Sequence, residues 1–589
     1  GGTTINAGQL KSGVDNAILT TGAVTLTSSG DLIVKDGISQ TITNLTSSST
    51  NSRITLRGTG ALTVTQSSNG TFAGVIRGRG PFTKSGNAIL TLSNDNTYTG
   101  NTTVSAGTLK VTGTLNDRNN VIVNGGTYDV DANDTVKSIS GSGGTIDIAD
   151  SVTLTENSRL NKTYAGVVAG SGTLSKAGAG ALTLSGTNTV ANVSISGGQV
   201  KVSGTLSDSA VVTVGTGSSY LVQANDTIGS IAGAGTINIA NDVTLSAGND
   251  SNATTFSGVI SGRGSFTKIG AATLTLSGAN TYRGALTISE GTLTLADNAT
   301  NILPNTSNVV LANTAGAILN INGKSAETIG TLSGGGATGG NITLGDGNLT
   351  LNTRTNATYG GVISGSGSLT KNGIAAQTLE GQSTYTGGTT INAGQLKSGV
   401  DNAILTTGAV TFGSGSAKFV VKSGISQTIG NLTSSSTDSD IFMVATSTLT
   451  VTQSSNGTYA GTLNGDGSFV KEGSASLILT NANTNKGSTT INNGVLELGN
   501  NSSIGVVTIA NIAGTTLDID GNTVTTRTIS GGANSIIDLG SSGQLIFYQN
   551  SDSDFNGTFN GQGTLTKRGN SDLRRLGSTI RAGNSSINN

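Results

Sequence analysis

The sequence of 589 residues lacks several residue types on which common kinds of site depend. It has no cysteine, no histidine, no tryptophan and only two prolines. Without cysteine there is no disulfide and no thiolate metal site, and without histidine the commonest general base is missing. A serine, histidine and aspartate triad is therefore excluded. Collagen is excluded as well, because it needs abundant proline together with its glycine.

Charged and bulky apolar side chains are also scarce. Charged residues make up 11% of the chain, and its formal net charge is −1. No strong field attracts a polyanion, so we expect no nucleic-acid partner. The chain has no run of 18 apolar residues, and it does not open on a basic and then apolar leader. We therefore expect no membrane span and no signal peptide within these residues.

What the chain has instead is 90 glycines and a phrase that occurs six times. "GSGSLTKNG" at 365 aligns with "GRGPFTKSG" at 78, "GSGTLSKAG" at 170, "GRGSFTKIG" at 262, "GDGSFVKEG" at 465 and "GQGTLTKRG" at 561. We predict a structural role for the lysine of each copy and for the glycine four residues before it: Lys84, Lys176, Lys268, Lys371, Lys471, Lys567, Gly80, Gly172, Gly264, Gly367, Gly467 and Gly563.

The copies stand roughly a hundred residues apart and divide the chain into repeats. We place a partial repeat at 1–71, repeats at 72–163, 164–255, 256–358, 359–458 and 459–554, and a degenerate partial repeat at 555–589. Residues 1–25 are identical to residues 387–411, which lie inside a repeat. We therefore expect the chain to begin within a repeat and to be either a fragment of a longer protein or the product of a broken reading frame.

Period-two alternation predicts that the chain is all-β. In "ATLTLSG" the leucines Leu274 and Leu276 share one face and the threonines Thr273 and Thr275 the other. Helical spacing of apolar residues is absent, and the frequent glycines would each cost a helix about 1 kcal/mol. Short strands repeated without an obvious end favour a right-handed parallel β-helix, a solenoid, over a sandwich. Coils of roughly 20 residues would give about 29 coils.

The repeated lysine conflicts with this alternation. If Leu369 faces the core, Lys371 lies on the same face, where a bare ammonium is too costly. We therefore expect the strand to end or bend at each lysine. The lysine stem would lie along apolar surface, and the ammonium would reach either solvent or the carbonyls of the glycine-rich turn.

The phrase, with an aromatic residue and a glycine before it and "STYTGGTTINAGQL" at 383–396 after it, resembles the passenger-associated transport repeat of Gram-negative autotransporters. The resemblance implies a β-helical passenger, displayed at the cell surface, held at the outer membrane or secreted. It implies an outer-membrane β-barrel in cis, absent from this chain, and an adhesin-like stalk without a catalytic site. Partners would be molecules of host or neighbouring cells, or another copy of the chain. The last copy departs from the pattern at "SDLRRLGSTIRAG".

An enzyme acting on polysaccharides remains as the alternative. Its candidate catalytic residues are the carboxylates of "YDVDANDT" and "GTIDIAD", which are Asp129, Asp131, Asp134, Asp147 and Asp150. A glycosidase holds two carboxylates about 5 to 9 Å apart in a groove, and one sequence shows no groove. We also expect no metal and no cofactor. Calcium repeats are absent, and a strand rather than a helix follows the glycines of "GGGATG" at 334–339.

Overall fold

The computed structural model of the chain describes residues 1–296, 301–323, 326–413, 415–575 and 585–587. These residues form 75 strands of two to five residues and no helix. Neighbouring strands pair in parallel, each with a strand about 20 residues further along the chain, as in Phe82 opposite Leu62 and Thr102. The prediction of an all-β parallel solenoid is confirmed. Within the described residues, no helix is long and apolar enough to cross a membrane.

The chain forms two compact units, Gly1–Gly284 and Ala285–Asn589. Each unit is a β-solenoid, and together they contain about 28 turns, close to the expected number. Successive coils place their strands on top of one another, so that a sheet runs from coil to coil along each side of the solenoid.

Two sheets of the first unit illustrate the arrangement. One consists of strands Ser39–Ile42, Ala61–Thr65, Phe82–Ser85, Thr102–Val104, Asn120–Val123 and Ser138–Ser140. The other consists of strands Gly70–Phe72, Ile89–Leu92, Thr108–Val111, Thr127–Val130, Thr145–Ile148 and Val167–Ala169.

Three sheets of the second unit carry the features described below. The longest has strands Ala326–Ile329, Asn348–Asn352, Leu369–Asn372, Thr389–Ile391, Val410–Phe412, Leu432–Ser434, Gly457–Tyr459, Leu477–Leu479, Val495–Leu498, Thr516–Asp518, Ile536–Asp538 and Thr558–Asn560. The next has strands Ser426–Ile429, Thr448–Thr452, Ser468–Glu472, Thr489–Ile491, Val507–Ile509, Ile529–Gly531, Ser553–Phe555 and Leu573–Arg575. A five-stranded sheet has strands Ser502–Ser503, Thr523–Thr526, Gln544–Tyr548, Thr564–Arg568 and Ser585–Ile587.

Side chains along each strand alternate between the core and the outer surface. In strand Ala61–Thr65, Leu62 and Val64 are buried, and the threonines beside them are partly exposed. The apolar side chains of successive coils stack into columns, which gives the thin solenoid a continuous interior. Eight of the nine tyrosines lie in this interior, namely Tyr98, Tyr128, Tyr164, Tyr220, Tyr282, Tyr359, Tyr385 and Tyr459.

Two glycines open each repeated phrase, and each position requires glycine for a different steric reason. Gly78 has a φ of 111°, a conformation that favours glycine. Gly80 has an ordinary φ, but a Cβ added to it would lie 1.9 Å from the carbonyl oxygen of Gly60 in the preceding coil. At the equivalent glycine of the other five copies, an added Cβ would meet an atom of the preceding coil at 1.6 to 2.4 Å. The coil spacing therefore leaves no room for a side chain there.

Candidate functional site

The repeated lysine lies on the inner side of the solenoid, either at the last residue of its strand or one residue before it. Lys84 belongs to strand Phe82–Ser85 and points to the same side as the buried Phe82, and none of its surface is exposed. Its ammonium donates hydrogen bonds to the carbonyl oxygens of Ser85 and Gly86, both at 2.8 Å, and of Ala106, at 3.0 Å. The strand ends beside the lysine, and turn carbonyls of two coils accept the hydrogen bonds of the ammonium in place of water.

The other copies repeat this arrangement with differences. Lys371 and Lys471 each donate to three carbonyl oxygens at 2.6 to 3.1 Å, the third from the following coil. Lys268 is 1% exposed and donates to the carbonyls of Ile269 and Gly270. Lys567 is partly exposed and donates to the carbonyl of Gly569.

Lys176 has a carboxylate beside it. Its Nζ lies 3.2 Å from Oε2 of Glu156, neither side chain has any exposed surface, and Nζ also donates to the carbonyl of Gly178. Glu156 stands directly opposite Lys176 in the preceding coil, where the other described pairs have an apolar residue, such as Val64 opposite Lys84. The second copy therefore holds a buried ion pair.

A second set of buried polar side chains caps the loops between coils. Both carboxylate oxygens of Asp134 accept from the backbone N–H of Leu115, each at 3.2 Å, and Oδ2 also accepts from the hydroxyl of Tyr128. Asp226 repeats these contacts with Leu206 and Tyr220. The remaining equivalent acceptors are Glu327, Gln40 and Gln427, each bonded to a backbone N–H about one coil earlier.

Burial shifts the pKa values of three carboxyls and three lysines in these two sets toward neutral pH. It raises the pKa of Asp134 and of Asp226 to about 6, and that of Glu327 to about 7, although backbone hydrogen bonds oppose the shift. It lowers the pKa of Lys84, Lys371 and Lys471 to about 8. In both cases the apolar surroundings disfavour the charged form of the side chain.

We predict a minimum in stability near neutral pH. The carboxyls have a raised folded-state pKa, so the folded chain binds more protons than the unfolded chain between about pH 4 and 7, and stability falls as pH rises. The lysines have a lowered folded-state pKa, so the unfolded chain binds more protons above about pH 8, and stability rises. Above about pH 10 the buried tyrosines, whose pKa is raised, reverse this rise.

Urea denaturation at pH 4.5, 7.5 and 9.5 tests this profile, with the lowest midpoint expected at pH 7.5. Glu327→Gln supplies a matched control, because Gln40 and Gln427 already occupy the equivalent position in other repeats. Relative to pH 7.5, this variant should gain less stability at pH 4.5 than the parent does, and it should gain as much as the parent at pH 9.5. A midpoint that is highest at pH 7.5 would contradict the prediction.

The aspartates considered for catalysis do not form one group. Asp134 bonds inside the solenoid, whereas Asp129 and Asp131 lie on the outer side, 2.9 and 2.5 Å from Nζ of Lys110. Asp147 is the register partner of Asp129 on the next coil. The pKa of Asp129 is raised, because the effect of burial exceeds that of the hydrogen bond from Lys110, which lowers it.

The remaining candidate, Asp150, lies in the turn after strand Thr145–Ile148, where its carboxylate accepts from the hydroxyl of Ser151. The described residues contain no group of three acidic side chains that could hold a metal ion. The glycine stretch at 334–339 forms a turn closed by a bridge between Gly336 and Gly339, and strand Asn341–Thr343 follows it.

Sequence reasoning missed a buried amide in the repeat. Oδ1 of Asn96 accepts from the backbone N–H of Ile76 in the preceding coil at 3.0 Å. Asn188, Asn280 and Asn483 make the same bond at 2.8 to 2.9 Å. The signal was present in the recurring triplets "NTY", "NTV" and "NTN" after the lysine phrase.

The outer face of the twelve-stranded sheet that begins at strand Ala326–Ile329 carries a column of threonines. Thr350, Thr370, Thr390, Thr411 and Thr433 are consecutive register partners on five coils. Each is at least partly exposed, and the hydroxyls of the last two lie 3.2 Å apart. The column presents the same small polar group once per coil, at the strand spacing of about 4.8 Å.

The family comparison agrees with this architecture. Five segments match the Passenger-associated-transport-repeat, at residues 82–111, 174–202, 266–295, 369–397 and 469–498. Each begins two residues before one of the buried lysines, at Phe82, Leu174, Phe266, Leu369 or Phe469. Five segments of the chain are therefore passenger-associated transport repeats, which are the repeats of autotransporter passengers. Passengers of this family are displayed at the cell surface or outer membrane, or are secreted.

A named relative is similar along the whole chain. The Adhesin BmaC autotransporter of Brucella suis biovar 1 (strain 1330) is 30% identical over 660 residues, an alignment that includes 100% of this chain. The chain spans about a fifth of that protein, since the alignment covers 18% of it. No solved structure matches the chain.

Proposed function

We propose that this chain is an adhesive segment of a surface-displayed autotransporter, without a catalytic role of its own. The observation that supports the proposal is the column of outward threonines, which repeats one weak hydrogen-bonding group coil after coil. Repetition multiplies a weak contact into a useful total affinity. The partners would be surface molecules of host or neighbouring cells, or a second copy of the chain.

Export belongs to the same proposal. The chain resembles a relative named as an adhesin autotransporter, so an outer-membrane β-barrel in the full protein would translocate and anchor it. The absence of cysteine agrees with this route, because disulfides hinder the threading of a chain through a narrow pore.

Lysines placed on the threonine column should weaken adhesion without unfolding the solenoid. The triple variant Thr350→Lys, Thr390→Lys and Thr433→Lys keeps the inner face intact, and the charged ends would block close approach of another surface. In cells displaying the full protein, we expect attachment and settling to fall several-fold, with an unchanged circular dichroism spectrum of the purified chain.

The control places the same three charges away from the column, at Ser366, Ser423 and Ser455, which are exposed residues in turns. This variant should adhere like the parent. If the two triple variants behave alike, charge alone accounts for the effect and the column is not the adhesive surface. If neither changes attachment or settling, the proposed function fails.

A further inference from the structure

A groove of about 390 Å³ lies on the surface of the second unit, between residues 485 and 550. It crosses four successive coils, in the direction along which the five-stranded sheet is stacked. The residues that matter for its chemistry are Asn485, Lys486, Ile504, Arg527, Tyr548 and Asn550. None of them belongs to the buried lysine sites.

A substitution within the repeat explains why the groove occurs here. Asn485 stands where three other repeats have tyrosine, as "NTN" at 483 replaces "NTY" at 96. Tyr98 is fully buried, and its hydroxyl lies 2.5 Å from Oγ1 of Thr102, four residues later. Asn485 also bonds to the threonine four residues later: its Nδ2 donates a hydrogen bond to Oγ1 of Thr489 at 3.0 Å. The smaller side chain leaves the volume of the missing ring unfilled.

The amide of Asn485 has an unused acceptor. The residue is 1% exposed, and its Oδ1 has no hydrogen-bond partner among the described residues. A buried polar atom without a partner is unusual in a native protein and calls for a specific explanation. A donor supplied by a ligand in the groove would satisfy it.

The rim of the groove carries uncompensated positive charge. Arg527 is exposed, and in the described part of the chain its guanidinium makes no hydrogen bond or ion pair. Lys486 is 3.9 Å from Asp466, and both of these side chains are mostly exposed, so the pair neutralises little of the charge.

Tyr548 supplies an aromatic surface beside these cations. It is the one tyrosine with substantial exposure, at 40%. Arg568 fixes its position by donating to the hydroxyl at 2.9 Å while its guanidinium lies 5.5 Å from the ring centroid. An ordered, exposed ring beside polar groups is suited to contact with a flat, partly apolar ligand surface.

We propose that this groove binds an acidic oligosaccharide. A sugar hydroxyl would donate to Oδ1 of Asn485, carboxylates would accept from Arg527 and Lys486, and a ring face would lie against Tyr548. A linear chain of several sugars fits a groove that runs across coils spaced about 4.8 Å apart. An acidic peptide such as polyglutamate is less suitable because it offers no ring face to Tyr548. The inference is independent of the adhesive role of the threonine column.

Calorimetric titration of the purified chain with tetragalacturonate tests the proposal, with maltotetraose as a neutral probe and hexaglutamate as an acidic peptide. We expect tetragalacturonate to bind and the other two to bind at least tenfold more weakly. The affinity for tetragalacturonate should fall as salt is raised, because charge pairs carry part of it. Equal binding of maltotetraose or stronger binding of hexaglutamate would overturn the assignment, as would no binding of tetragalacturonate.

Two variants locate the site. Asn485→Tyr restores the side chain of the other repeats and fills the groove, so binding should be lost while the fold is kept. Arg527→Gln should weaken binding about tenfold, which corresponds to the loss of one charge-assisted contact. Arg354→Gln, at an exposed arginine in the same unit, should bind like the parent. If Arg527→Gln and Arg354→Gln bind equally well, the charge contact is wrong, and if Asn485→Tyr still binds, the groove is not the site.

Discussion

Replacing Lys176 by methionine should destabilise its coils by about 3–5 kcal/mol, because it leaves a buried carboxylate without its cation. Lys176 and Glu156 are both fully buried, with Nζ and Oε2 3.2 Å apart. Burial already raises the pKa of Glu156, and the charge of Lys176 opposes that rise. Without the lysine, Glu156 must take up a proton or draw water into the core. Urea denaturation at pH 8 and hydrogen exchange of the strands Thr153–Glu156 and Thr173–Lys176 would measure the loss.

The reciprocal change supplies the control. Glu156→Val places at this position the residue found opposite Lys84, where a lysine is held by carbonyls alone. We expect it to cost only about 1 kcal/mol, because turn carbonyls can hold Lys176 as they hold Lys84 opposite Val64. The double variant Glu156→Val/Lys176→Met should be more stable than Lys176→Met. If the two single variants were equally destabilised, the cost would reflect packing and not an unpaired charge.

Replacing Gly367 by alanine should open the solenoid locally, at a cost of more than about 3 kcal/mol. A Cβ at this residue would lie 1.6 Å from the carbonyl oxygen of Gly347 in the preceding coil, and its other close neighbours are also backbone atoms of Gly347. Backbone cannot move aside as a flexible side chain can, so the two coils must separate. We expect faster hydrogen exchange and new proteolytic cleavage between about residues 345 and 391.

The effect of this variant should remain local. Each coil of a solenoid contacts only its neighbours, so coils more than one or two turns away should keep their protection. Gly13→Ala is the control, because a Cβ there meets only Nζ of Lys35, at 3.7 Å, and should leave exchange unchanged. Uniform loss of protection across the second unit after Gly367→Ala would contradict nearest-neighbour coupling, and unchanged protection would contradict the steric argument.

Much of the fold was determined by the sequence alone. Alternation in runs such as Leu274 to Leu276 predicted strands with one buried face, because side chains on successive strand residues point to opposite sides. Repetition of the lysine phrase predicted stacked coils. The same alternation put each lysine on the side of the core, which led us to expect the strand to end or bend there, and Lys84 is buried on the same side as Phe82. These conclusions depend on neighbours along the chain, which a sequence displays directly.

The tertiary structure decided which groups meet between coils. The third carbonyl around Lys84 comes from Ala106, 22 residues away, and the partner of Lys176 is Glu156, 20 residues before it. It also put Asp134 inside the solenoid and left Asp129 outside. Contacts of this kind depend on strand register, and a shift of a single residue would turn every side chain to the opposite face. For that reason the sequence predicted the coil and its faces, and only the stacking of coils decided their polar partners.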